Sequence, residues 1–209
     1  MICVSVANIS FANLMSQISN FEMLELRLDL LNYSEKQYQE IFRTEKPIIV
    51  TYRYGEIDDT IRISELKNAI LLGANYVDIE IDAKESFVSE MMNFAKENNC
   101  KTVLSFHDFN KTPTKKILNK IIEDAKKLKS DYVKVAAMAN SKSDVARVLS
   151  LYENNENLLA FNMGKKGKIS RLSSLFLGAE FTYAALSNEN TTASGQFTYK
   201  ELKELQEKI

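Results

Sequence analysis

The chain has 209 residues, 45% of them hydrophobic, with 27 basic side chains against 28 acidic ones and a net charge of -1. That apolar content supports one substantial core and a single domain over residues 1–209, while the near-zero charge offers no global pull toward nucleic acid or anionic membranes. No apolar run approaches the ~20 residues needed to span a bilayer, and the opening MICVSVANISF lacks the basic start and long apolar stretch of a signal peptide, so a cytoplasmic protein with no membrane partner is expected.

In chain order, runs rich in Val, Ile, Leu and aromatic residues fall at 2–7, 22–28, 48–53, 76–81, 101–107, 131–136, 158–163 and 180–184, each the length of a strand. Helical periodicity fills several of the gaps, over 61–72, 85–97, 114–128 and 143–152. This alternation predicts an α/β protein with a parallel sheet covered by helices, and eight strands favour one closed (β/α)8 TIM barrel with short loops. The two cysteines, Cys3 and Cys100, sit in or beside strands and read as buried thiols.

Three of the strands depart from the uniformly apolar pattern of a buried parallel sheet. In Leu24-Glu25-Leu26-Arg27-Leu28-Asp29 the leucines take one face and the charges the other; Val77-Asp78-Ile79-Glu80-Ile81 repeats the split, and Thr51-Tyr52-Arg53 shows it briefly. With helices outside, the charged faces are expected to point into the barrel, toward its C-terminal mouth. An antiparallel edge with one wet face is the competing arrangement, and the intervening helices argue against it.

Lys134, between Val133 and Val135, is a lysine in a core strand. Burial there disfavours an ammonium group and supplies the neutral amine that carbonyl attack requires, although a strand-end lysine reaching water would look the same. His107, the single histidine, ends the preceding strand and is the residue type suited to both taking and returning a proton near neutrality. An amine that forms an imine beside such a base could drive an elimination. One histidine near Glu80 and Asp108, with no cysteine partner, is a poor metal set, so no metal is expected. The segment Met163-Gly-Lys-Lys-Gly-Lys-Ile-Ser-Arg171 lacks phosphate-loop spacing, but Arg171 could hold a carboxylate through its planar fork.

Six motifs in this order resemble those of the type I 3-dehydroquinate dehydratases: Glu25-Leu-Arg27-Leu-Asp29, Thr51-Tyr-Arg53, Ser105-Phe-His107-Asp108-Phe, Val133-Lys134-Val-Ala, Met163-Gly with Ile169-Ser-Arg171, and Ala193-Ser-Gly195-Gln196. The resemblance spans nearly the whole chain. It implies a (β/α)8 barrel that converts 3-dehydroquinate to 3-dehydroshikimate and water in the shikimate pathway, without metal or cofactor. It implies Lys134 as the imine lysine and His107 as the residue that helps to form and hydrolyse the imine and acts as the general acid/base in dehydration. Glu25, Arg27 and Arg53 match positions on the hydroxyl side of the substrate; Arg171 and Gln196 match its carboxylate grip, under a lid over 187–196. The lid hydroxyl falls to Thr192 or Ser194, and Glu56 matches an acidic position only with a shift of spacing. A homodimer is expected on the same resemblance. The rival readings are a class I Schiff-base aldolase and a catalytically silent barrel that only binds.

Overall fold

The computed structural model describes residues 1–55 and 58–208, so Glu56 lies outside the described residues. Among them, eight strands alternate with eight α-helices. The strands are β1 (Ile2–Val6), β2 (Met23–Arg27), β3 (Ile48–Thr51), β4 (Tyr76–Glu80), β5 (Lys101–Asp108), β6 (Tyr132–Met138), β7 (Leu158–Met163) and β8 (Thr182–Ala185). The helices are α1 (Phe11–Met15), α2 (Glu35–Phe42), α3 (Asp59–Leu71), α4 (Glu85–Glu97), α5 (Lys115–Lys127), α6 (Lys142–Leu149), α7 (Lys168–Phe176) and α8 (Tyr199–Gln206). All pairings are parallel, in the order β7-β6-β5-β4-β3-β2-β1-β8, which makes a nearly closed eight-stranded barrel. No described helix is long and apolar enough to cross a membrane.

At the β7–β8 seam no ladder forms among the described residues, and side chains do the closing. The Phe161 and Tyr183 rings meet there with centroids 5.7 Å apart, and Arg171 of α7 donates from Nη1 to the Tyr183 carbonyl at 3.4 Å. Aromatic rings suit such a gap because they fill it with few rotatable bonds.

The strand alternation sorts the residues as the sequence pattern requires. Leu24, Leu26, Val77 and Ile79 face outward into the layer shared with the helices. Cys3, Met23, Ile49, Tyr76, Val103, Tyr132, Leu159 and Phe181 face inward and plug the base of the barrel. There the Tyr76 hydroxyl donates to Glu180 at 3.1 Å, and the Tyr132 hydroxyl donates to the same carboxylate. One inward step higher, the layer turns polar: Ser5, Glu25, Thr51, Asp78, Ser105 and Lys134 are all buried. Each lies two residues beyond a plug residue or in register with one of its neighbours, as in the pairs Ser5–Glu25, Thr51–Asp78 and Ser105–Lys134. The apolar plug therefore supplies a dry floor, and the charged layer above it becomes the floor of a site.

Strand lengths differ slightly from expectation. The third run stops at Thr51, so Arg53 lies just past β3 on the loop, where it reaches Asp78 and Glu80 at the mouth. The second ends in a 3-10 turn, Leu28–Leu30, which brings Asp29 back beside Arg27.

Candidate active site

A cavity of about 280 Å³ opens at the C-terminal mouth, where β-strand ends converge. All eight predicted site residues line it: Glu25, Arg27, Arg53, His107, Lys134, Arg171, Thr192 and Gln196. Ser194 does not.

Lys134 is 4% exposed. Its valine neighbours point outward, so the amine stands among charges rather than in an apolar strand environment. Nζ donates to Asp78 Oδ2 at 2.9 Å and lies 3.9 Å from Glu25 Oε1. Both carboxylates are held by other donors. Arg53 grips Asp78 with Nη1 and Nη2 at 2.8 and 3.0 Å, and the Ser105 hydroxyl donates to it at 2.6 Å. Glu25 accepts from Ser5 Oγ at 2.5 Å and Thr51 Oγ1 at 2.9 Å. Burial works against the ionised form of Asp78, but the Arg53 and Lys134 charges outweigh it and hold this carboxyl well below the usual carboxylate range. The charge beside the amine is thus a fixed anion, not a proton acceptor.

His107 lies on the neighbouring strand, registered against Ala136, two residues beyond Lys134 along β6. Both side chains therefore face the same cavity. The imidazole is partly buried and stacks on Phe109, with centroids 6.0 Å apart and planes 14° from parallel. Burial, reinforced by the Arg53 and Lys134 charges, pushes it well below its ordinary value of 6.5, with Asp78 opposing. At neutral pH the ring is an uncharged base.

Arg171 lies on α7, 1% exposed, with its guanidinium over the Phe161 ring at 4.3 Å. The run Lys165-Lys166-Gly167 hides the start of this helix, since its N-cap Gly167 makes no side-chain cap. Arg27 pairs with Asp29, Arg53 with Asp78, and Lys134 with Asp78 and Glu25. Among the described residues, Arg171 alone of the cavity's cations has no carboxylate partner. Its Nε is buried without an acceptor, and burial pulls the guanidinium down to about 10, with Glu25 the largest opposing influence. A buried, underpaired guanidinium is the place in this cavity that an anion would stabilise most.

The segment 187–196 folds over the mouth and packs backbone to backbone on the turn after β7. Gly164 N donates to the Ser194 carbonyl at 2.9 Å. Gly195 has φ +75°, and a Cβ there would sit 2.3 Å from the Gly164 carbonyl oxygen, so no other residue fits. Gln196 Oε1 accepts from the backbone N–H groups of Thr192 and Ala193 at 2.8 and 3.2 Å, which folds the segment into a closed loop.

The sequence places Asp78 and Glu80 on the inward face without assigning them a role and gives Ser105 only as part of a family motif, while Ser5, Tyr183 and Arg62 go unmarked. The serines carry a signal in their alternation with buried valines and leucines. Arg62 carries none: it reads as a surface residue of α3, yet it is 1% exposed and donates to the Tyr52 carbonyl and to Glu80 at 3.0 and 2.9 Å. Glu80 in turn lies 3.7 Å from Arg53 and accepts from Tyr54 N at 3.0 Å, so Arg62 anchors the loop that carries Arg53.

Comparison with known proteins agrees with this fold. The family model described as type I 3-dehydroquinase matches residues 2–208. The 3-dehydroquinate dehydratase of Thermococcus gammatolerans is 38% identical over 192 residues, covering 89% of this chain and 87% of that protein. The 3-dehydroquinate dehydratase of Methanocaldococcus jannaschii is 32% identical over 218 residues, covering 98% and 97%. Among solved structures, the 3-dehydroquinate dehydratase of Aquifex aeolicus superposes with a TM-score of 0.86 at 26% identity, covering 100% of this chain and 98% of that one. With the family model spanning almost every residue and its relatives matched nearly end to end, the chain belongs to the type I 3-dehydroquinase family.

Proposed function

We propose that this protein dehydrates 3-dehydroquinate to 3-dehydroshikimate through an imine on Lys134, with His107 moving the protons. As a member of its family it is a hydro-lyase of the shikimate pathway. The observation that carries the residue assignment is the convergence of a buried amine, an uncharged imidazole and an underpaired guanidinium on one small cavity.

In this reading Arg171 and Gln196 hold the substrate carboxylate, while Glu25, Arg27 and Arg53 bind its hydroxyl side and Thr192 closes from the lid. Once its ammonium has shed a proton, the Lys134 nitrogen adds to the ketone carbon; that proton and a second one from the nitrogen leave with the carbonyl oxygen as water, and the nitrogen becomes a cationic iminium. That charge acidifies the adjacent carbon. His107 removes the proton there and returns it to the departing hydroxyl, after which water hydrolyses the product imine. Asp78, ionised throughout, favours the cationic nitrogen without competing for the proton. The cytoplasm and a homodimeric working unit are assigned on the family resemblance.

The direct test is to mix the protein with 3-dehydroquinate, follow the absorbance of the conjugated enone, and trap with borohydride. A mass increment on Lys134 is expected. An inert mixture, or an adduct on another lysine, would overturn the reading, and cleavage of a carbon–carbon bond would favour an aldolase.

Arg171→Met should raise KM by roughly 10- to 100-fold with little change in kcat, the loss expected for one charge-assisted carboxylate contact made alike in ground and transition states. The same change removes a poorly compensated buried charge at similar volume, so the melting temperature should hold or rise. Steady-state kinetics and a thermal melt check both halves; a pure kcat defect would count against the carboxylate grip.

The pH dependence has a definite sign. Because His107 in the free protein titrates well below 6.5 and its uncharged form is the working base, kcat/KM should stay level as pH falls past 6.5 and decline only in more acid solution. The anionic substrate favours imidazolium, so the acid limb of kcat should lie at higher pH than that of kcat/KM. A kcat/KM limb at or above 6.5 would exclude His107 in this environment as the base.

A further inference from the structure

Beside Asp78 and Glu25, the Lys134 amine has a third neighbour. Its Nζ stands 4.1 Å from the centroid of the Tyr183 ring, on β8, past β7 on the far side of the seam. The ring is immobilised: Tyr183 is 2% exposed and packs edge-on or tilted against Phe181 and Phe161, with centroids 5.6 and 5.7 Å away. Its carbonyl accepts from Arg171, so one residue touches both the amine and the unpaired guanidinium. Among the described residues its hydroxyl is buried without a hydrogen-bond partner. A buried hydroxyl left unpaired is unfavourable, so what the site gains from this side chain is the ring.

The negative face of an aromatic ring attracts a cation, and the attraction strengthens when water is excluded. We propose that Tyr183 is a positioning residue for the imine, its ring face holding the Lys134 nitrogen in line and favouring the cationic iminium over the neutral carbinolamine from which it forms. This rests on the Lys134 imine reading above. As the carbinolamine loses its oxygen as water, taking up one proton, positive charge develops on nitrogen; the ring is already within contact distance and needs no reorganisation. Asp78 and Glu25 supply charge to the same atom, but both are tied to other donors, whereas among the described residues no second cation lies over the ring.

The test separates ring electrostatics from packing. Tyr183→Leu should lower kcat and the borohydride-trapped fraction by roughly tenfold with KM little moved, and Tyr183→Phe should restore both. In a second series, phenylalanines carrying one, two and three ring fluorines replace Tyr183. These keep the ring's shape while weakening its negative face, so the trapped fraction should fall stepwise at constant melting temperature. The fluorine series keeps the proposal open to refutation even if the leucine variant fails to fold. A flat series overturns it, as does a Tyr183→Phe variant as impaired as Tyr183→Leu, which would assign the effect to the hydroxyl. If the unmodified protein gives no Lys134 adduct, the imine reading itself fails, a result distinguishable from a flat fluorine series on a protein that does form the adduct.

Discussion

Lys134→Ala is expected to reduce dehydration of 3-dehydroquinate to the limit of detection and to eliminate the borohydride-trapped adduct. No other lysine among the described residues lines the cavity, so no second amine stands ready to replace it. The loss should be chemical rather than structural. Asp78 keeps its bidentate grip from Arg53 at 2.8 and 3.0 Å and its bond from Ser105, and Glu25 keeps Ser5 and Thr51, so neither carboxylate is left bare when the ammonium goes. Breaking a buried pair usually destabilises by several kcal/mol because one charge is orphaned, about 3–5 kcal/mol where that happens. Here the orphan is already paired, and the melting temperature should fall by much less than that cost implies. Arg171, Gln196 and the hydroxyl-side residues are untouched, so calorimetry should still detect substrate binding. Retained turnover, or an adduct still formed by the variant, would place the nucleophile elsewhere.

How much of this was legible beforehand follows from what each signal depends on. The inward charged faces of β2 and β4 were readable because strand alternation is local and leaves leucines and charges on opposite sides within five residues. The helices α4 and α5 were readable from their periodicity. Helices α2 and α8 escaped notice although their starts are marked: Ser34 with Gln37, and Thr198 with Glu201, each form a reciprocal capping box that the sequence spells out. Helix α7 has no such mark, since Gly167 at its start offers no capping side chain. The environment of Lys134 was misjudged for a different reason. Val133 and Val135 flank it in sequence but face the other way, whereas Asp78 is 56 residues distant and arrives only when β4 and β6 assemble on either side of β5. The underpaired state of Arg171 and the ring of Tyr183 beneath the amine are likewise products of closure, at a seam that joins β7 to β8, and no local pattern encodes them.

His107→Ala should leave the imine trappable while slowing turnover by roughly 10²–10⁴-fold, the range for loss of a general acid/base. The effect is expected toward the large end because the described cavity offers no substitute base. Asp78 is held ionised well below the usual range and is locked by Arg53 and Lys134. Glu25 accepts from Ser5 and Thr51, and Glu80 from Arg62 and Tyr54 N, so neither carboxylate is free to swing toward the substrate. Water could enter where the imidazole stood, but it is a far weaker base and lacks a fixed position. The stability cost should be small, since the ring is only partly buried, is uncharged at neutral pH and is held by stacking on Phe109 rather than by an ion pair. The decisive readout is the mass of the trapped adduct. With the base gone, substrate imine should accumulate ahead of dehydration, so the adduct shifts from the product form to the substrate form, heavier by one water. Full activity in the variant would remove His107 from the reaction, and an adduct that vanishes altogether would move its role back to imine formation.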